Sequence, residues 1–249
     1  MSPDNPTCVN KVKHGRMNCN RCWPDASVEI QESGAFRLVR DPGHWGSTNP
    51  ANLVLGISKG NTQSSAFATD PFDAVAFKGI RHRLLQVLQV VGLLSGETPT
   101  AFERRFCASE QEFAFASVLR CSMTGMDRKK GIHTADSPNV APAFKTGSPG
   151  YRFAAACVDQ HLGKLPSATK RVLLLGTTDA YVDNLRDLIA RTRGGFEAIN
   201  AMAFRAGGVL FVNVCHPSKG NGYFGAYLRG EGQSGQKKRM AEAALASTQ

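Results

Sequence analysis

Asn52-Leu53-Val54-Leu55-Gly56-Ile57-Ser58-Lys59-Gly60 is the stretch that decides the fold. Residues 52–56 read as a short buried strand, and residues 57–65 as a turn rich in Gly, Ser, Thr and Asn. A strand feeding such a turn is where α/β proteins place ligands. Working outward, residues 113–119, 171–176 and 208–215 predict three more strands. Residues 77–94 predict a helix: Ile80, Leu84, Leu88 and Val91 recur at helical spacing, with Arg81 and Gln89 on another face. Residues 153–162 and 179–193 predict two further helices, the second with Asp179 as a cap and Gly194-Gly195 as its stop. Residues 236–246 read as a short Ala-rich helix. Strands alternating with helices predict an α/β domain whose mainly parallel four-stranded sheet is covered on both faces. The turn after the first strand and the loop after the fourth then face each other across one cleft at the carboxyl edge.

The chain has 249 residues, which suits one large domain. Residues 1–50 read as loop-rich, and the polar residues 122–150 as an inserted loop carrying the basic run Arg128-Lys129-Lys130. With 30 Lys and Arg against 20 Asp and Glu, the net charge of +10 suits a polyanionic partner, nucleic acid before membrane. No apolar stretch is long enough to cross a bilayer, and the N-terminus is polar rather than signal-like. A cytoplasmic monomer is the expectation. Seven cysteines, an odd number without a signal, argue against a disulfide framework. Metal ligation plus a few buried free thiols, Cys107 and Cys215, is the better account.

Two groups carry chemistry. Cys19 and Cys22 form a C-x-x-C pair, and Cys121 and Cys157 each lie beside an apolar run; four such thiolates can hold an iron–sulfur cluster or a zinc. His216-Pro217-Ser218 leaves the fourth predicted strand, a position suited to reaction rather than packing.

The order C-x-x-C, strand–Gly turn, Ala76-Phe77-Lys78-Gly79, Ser117-Val118-Leu119-Arg120-Cys121, Ala154-Ala155-Ala156-Cys157, strand–Gly and His216-Pro217-Ser218 resembles the uracil-DNA glycosylase superfamily. Its iron–sulfur class, family 4, is the most similar, over a span from about Cys19 to Phe224. The resemblance implies a three-layer α/β/α sandwich that extrudes a damaged base from DNA and hydrolyses its N-glycosidic bond in base-excision repair. It implies Cys19, Cys22, Cys121 and Cys157 as ligands of a [4Fe–4S] cluster, with zinc as the alternative and Cys8 as a substitute ligand. The family's acidic position in the Gly-rich turn falls on Ile57, within Gly56-Ile57-Ser58. Asp70 or Asp73 is then expected to supply the catalytic carboxylate, although Asp70-Pro71 also reads as a loop cap. Ser58 or Asn61 could position water.

Phe77 matches the family's aromatic that stacks on the flipped base, and Ser117 replaces its base-reading Asn. His216 matches the residue that donates a hydrogen bond to the departing base, with Ser218 and Asn221 in the same substrate-binding loop. Lys219 is expected at a DNA phosphate, and Tyr223 or Phe224 as the wedge that fills the gap left in the duplex. Two rival readings stand beside this one. The first is a catalytically altered or inactive nucleic-acid-binding iron–sulfur protein on the same fold, favoured by Ile57 and Ser117. The second is a zinc-stapled hydrolase acting on a free nucleotide.

Overall fold

The computed structural model describes residues 13–25 and 27–247, so Cys8 lies outside the described residues. The strands are β1 (Gly15–Arg16), β2 (Ile30–Ser33), β3 (Phe36–Val39), β4 (Gly43–Gly46), β5 (Asn52–Gly56), β6 (Phe113–Ser117), β7 (Ser122–Asp127), β8 (Ile132–Thr134), β9 (Arg171–Leu175), β10 (Glu197–Asn200), β11 (Ala203–Ala206) and β12 (Val209–Val214). The helices are α1 (Asn61–Thr69), α2 (Arg81–Val90), α3 (Pro99–Arg104), α4 (Ser137–Val140), α5 (Tyr151–Leu162), α6 (Asp179–Arg193), α7 (Phe224–Arg229) and α8 (Gly232–Ala246).

The four strands anticipated from the sequence are β5, β6, β9 and β12, and they pair in parallel in the order β6-β5-β9-β12. They do not form the whole sheet. Antiparallel strands extend it on both sides to eight, in the order β1-β4-β6-β5-β9-β12-β11-β10. A second, antiparallel sheet runs β2-β3-β7-β8. Residues 1–50 are therefore not simply loop-rich, since β1 to β4 lie there. Residues 122–150 are not a loop either. They hold β7, β8, α4 and a 3-10 turn at Ala141–Phe144. Both departures share one cause. β3 pairs with β7 and so joins the β2–β3 and β7–β8 hairpins into one sheet, and short strands of polar, weakly alternating sequence become legible only once paired.

Alternation along the parallel strands divides the core. Leu53 and Leu55 of β5 and Val172 and Leu174 of β9 join one hydrophobic cluster with Phe153, Val158 and Leu162 of α5 and Leu185 and Ile189 of α6. Val54, Leu173 and Leu175 face the opposite cluster, with Leu84 and Leu88 of α2 and Ala244 and Leu245 of α8. The sheet is thus covered on both faces, as strands apolar on every residue require. Among the described residues no helix is long and apolar enough to cross a membrane.

The helix anticipated over 77–94 is shorter, because Phe77 and Gly79 take positive φ angles of 52° and 76° and Gly92 one of 79°. The turn anticipated over 57–65 is cut short by α1, which opens at Asn61. Helix α6 spans the anticipated residues. Thr178 rather than Asp179 is its N-cap, and Gly194, at φ 67°, ends it. Register aligns Gly56 with Ser117 and Val214 with Leu175, so the ends of these strands share one carboxyl edge. β5 has β6 on one side and β9 on the other, so the connections diverge there, and such a switch point opens a crevice.

Candidate active site and thiol centre

The crevice is a cavity of about 370 Å³ at that carboxyl edge. Gly56, Ile57 and Ser58 of the turn after β5, Phe77, Ser117 at the end of β6, and His216, Ser218 and Lys219 of the loop after β12 line it. The turn after β5 and the loop after β12 therefore do meet across one cleft. Asn61 also lines it, at the start of α1, where no side chain caps the first backbone N–H groups.

His216 is held by its own loop. The Ser218 backbone N–H donates to Nδ1 at 3.1 Å, and Asn221 Nδ2 donates to the His216 carbonyl at 2.9 Å. With Nδ1 accepting, the neutral ring carries its proton on Nε2. Burial pushes the His216 pKa down to about 4, so the ring is a neutral donor at pH 7. Asn221 does not line the cavity. It braces the loop, donating also to Cys215 Sγ at 3.2 Å and accepting the Tyr223 N–H at 3.1 Å. Phe77 has the sole positive φ among the described non-glycine residues. Its ring is buried, edge-on to Phe115 at 6.3 Å, and lies against Gly56. Backbone strain of this kind concentrates where a side chain must be presented to a ligand.

The anticipated carboxylates are elsewhere. Asp70 pairs with Lys78 and accepts from Thr69 Oγ1 at 3.0 Å, and the Lys78 contact holds its pKa below the usual carboxylate range. Asp73 pairs with His14 Nε2 at 2.8 Å. Neither lines the cavity. Among the described residues, the carboxylate that does is Asp136, which sequence reasoning missed. It is the N-cap residue of α4, and its side chain makes no capping bond there. The signal for a helix start was present in Asp136-Ser137-Pro138, but nothing in the sequence brings it to the cleft. Gly125 makes the approach possible, because a Cβ there would stand 2.0 Å from the Asn139 backbone oxygen of α4.

Ser58 is committed to structure: its hydroxyl accepts the Met123 N–H at 2.7 Å and donates to the Cys121 carbonyl at 3.2 Å. Lys59, wholly buried, donates to the Arg120 carbonyl at 2.6 Å and pairs with Asp41 at 3.2 Å. Asp41 in turn accepts from the Ser122 N–H at 2.6 Å and the Ser122 hydroxyl at 2.5 Å. The turn after β5, which lines the cavity through Ser58, is therefore tied to the segment that carries Cys121. Tyr223 is 74% exposed. Phe224 is buried under the Arg83 guanidinium, 3.7 Å from its ring centroid, and cannot serve as a wedge. Arg128-Lys129-Lys130 occupies the β7–β8 hairpin tip, where Asp127 accepts the Lys129 and Lys130 N–H groups.

Among the four predicted ligand thiols, Cys22 lies within electrostatic reach of the other three. Its interaction with Cys157 lowers the Cys22 pKa and, with burial, raises that of Cys157. Cys121 and Cys19 both lie within electrostatic reach of this pair. Burial pushes the Cys121 thiol up to about 12 and also raises Cys19. Cys19 Sγ stands 3.5 Å from His161 Nε2. Four thiols match a four-thiolate centre in number, but among the described residues no three His, Cys, Asp or Glu side chains form a group that could hold a metal ion. Cys215 is buried as anticipated; Cys107 is only half-buried and donates to the Arg104 carbonyl at 2.7 Å.

No protein-family model matches this chain, and no curated protein is significantly similar to it.

Proposed function

We propose that the protein is a DNA glycosylase-like enzyme of the uracil-DNA glycosylase type, with the three-layer α/β/α arrangement of that superfamily. The observation that carries the reading is the meeting of His216, as a neutral Nε2–H donor, with Phe77 and Ser117 in one cavity at the sheet edge. In this reading a base extruded from DNA stacks on Phe77 and meets the Ser117 hydroxyl. The C1′–N bond breaks dissociatively and the base leaves with the electron pair. His216 Nε2–H stabilises the negative charge growing on the base carbonyl oxygen. Water then adds to the cationic sugar carbon, and the proton it loses neutralises the departed base anion, leaving the free base and an abasic sugar. A carboxylate normally supports such a cation, and Asp136 is the group on this cavity wall able to do so. Tyr223 is the exposed wedge and Lys219 the phosphate contact.

The same reading takes Cys19, Cys22, Cys121 and Cys157 as ligands of a [4Fe–4S] cluster. A cluster gives each iron its own thiolate, so it accommodates a looser grouping than a lone zinc. Its contribution would be structural, tying the N-terminal segment, the β6–β7 connection and α5 together.

Ile57 at the family's acidic position supports a second reading, a DNA-binding protein without chemistry. Release of uracil, hypoxanthine or xanthine from oligonucleotides, compared with duplex affinity, separates the two. Tight binding without release sinks the enzyme.

A further inference from the structure

Arg120 follows β6 directly before Cys121 and is buried to 4% exposure. Its Nε and Nη1 are buried with no hydrogen-bond partner. A guanidinium keeps its charge at any ordinary pH, and a buried unpaired charge costs several kcal/mol, on the order of 3–5 when a partner is removed. The groups near Arg120 that can become negative are the sulfurs of Cys157 and Cys19. The other neighbours give no compensation: His44 and His161 stand within electrostatic reach, and each could only add positive charge. A cavity of about 310 Å³ beside it has Cys19, His44, Arg120, His161, Lys13 and Arg16 in its wall, with no carboxylate among the described residues.

We propose that Arg120 is the buried counter-cation of a metal–thiolate centre built on Cys19, Cys22, Cys121 and Cys157, and that it positions and retains that centre. The inference rests on the cofactor reading above and adds a residue outside the ligand set. Thiols are neutral and leave Arg120 unpaired. Metal-bound thiolates carry negative charge, and a four-thiolate iron–sulfur centre stays anionic overall. A guanidinium also donates to sulfur along more than one direction, which an ammonium does not reproduce with the same geometry.

The consequence is an effect of opposite sign in the two forms of the protein. The full chain is purified anaerobically as wild type, Arg120→Met and Arg120→Lys. Iron and sulfide content, the visible spectrum and the rate of bleaching by chelator are measured, and the metal-free forms are melted. The expected result is wild type with bound iron and sulfide, and Arg120→Met losing them about tenfold faster or more, with Arg120→Lys between. Metal-free Arg120→Met should melt about 2–4 °C above metal-free wild type, because a costly charge has gone. Equal retention in wild type and both variants would overturn the role of Arg120 while leaving the cluster intact. Wild type that binds neither iron nor zinc would overturn the cofactor reading and this inference together. A melting temperature of metal-free wild type raised by inorganic phosphate, and not of Arg120→Met, would assign the missing anion to solution and overturn the proposal. If Arg120→Met does not fold, Arg120→Lys against wild type decides by retention alone.

Discussion

At the scale of single residues, the account rests on His216 and Asp136. His216→Asn keeps the bulk of the side chain but loses the aligned Nε2–H. Base release should fall about 10²–10³-fold with duplex affinity unchanged, measured by single-turnover excision and by anisotropy. Asp136→Asn should lower the same rate about 100-fold, whereas Asp70→Asn and Asp73→Asn should each stay within about threefold of wild type. Equal losses for Asp70 or Asp73 would return the carboxylate to the positions suggested by sequence.

His216 also ties activity to stability. Its folded pKa of about 4 lies below the ordinary value near 6.5. Above 6.5 neither state binds the proton and the fold is at full strength. As pH falls from 6.5 toward 4 the unfolded chain takes up a proton that the folded chain refuses, costing at most about 1.4 kcal/mol per pH unit. Urea midpoints between pH 7.5 and 4.5 should therefore fall more steeply in wild type than in His216→Asn. Parallel curves would show that the ring titrates normally. The place of His216-Pro217-Ser218 at the cleft was legible because the segment follows an uninterrupted apolar strand, β12, whose end lies at the carboxyl edge of the sheet. Asp136 was not, because an N-cap aspartate looks the same wherever its helix points.

At the scale of elements, the β7–β8 hairpin with α4 is what brings Asp136 to the cleft. Gly125 permits it, since any Cβ there collides with the Asn139 backbone oxygen at 2.0 Å. Gly125→Ala should displace α4, costing about 1–3 kcal/mol in denaturant unfolding and reducing base release, while far-ultraviolet dichroism stays native. Unchanged excision in Gly125→Ala would detach α4 from the site.

The buried Asp41–Lys59 pair is the second device at this scale, linking the turn after β5 to the segment before β7. Lys59→Met should destabilise the chain by about 3–5 kcal/mol by leaving Asp41 unpaired, and Asp41→Asn in the same chain should recover part of that loss. Strictly additive losses would mean that the two side chains act independently. β5, β6, β9 and β12 were readable because their residues are apolar without interruption. β2, β3, β7 and β8 were not: β2–β3 and β7–β8 are local hairpins of weakly alternating sequence, and only the β3–β7 pairing, between residues roughly ninety positions apart, joins them into one sheet. The Lys59 network was equally hidden, since a lysine within Ser58-Lys59-Gly60 reads as solvent-exposed until Asp41 is folded beside it.

At the scale of the whole molecule, the chain carries a net charge of +10, and its cleft lies at one edge of a sheet covered on both faces. On the proposed reading, that excess favours a polyanionic substrate. The most direct test of the central claim is single-turnover base release by iron-loaded full-length protein from uracil-, hypoxanthine- and xanthine-containing oligonucleotides, single- and double-stranded, with His216→Asn in parallel. The account predicts release of at least one of these bases, leaving an alkali-labile abasic site, and a rate at least about 100-fold lower in the variant. DNA binding that weakens with salt but releases no base from any substrate would contradict it and leave a binding protein on the same fold.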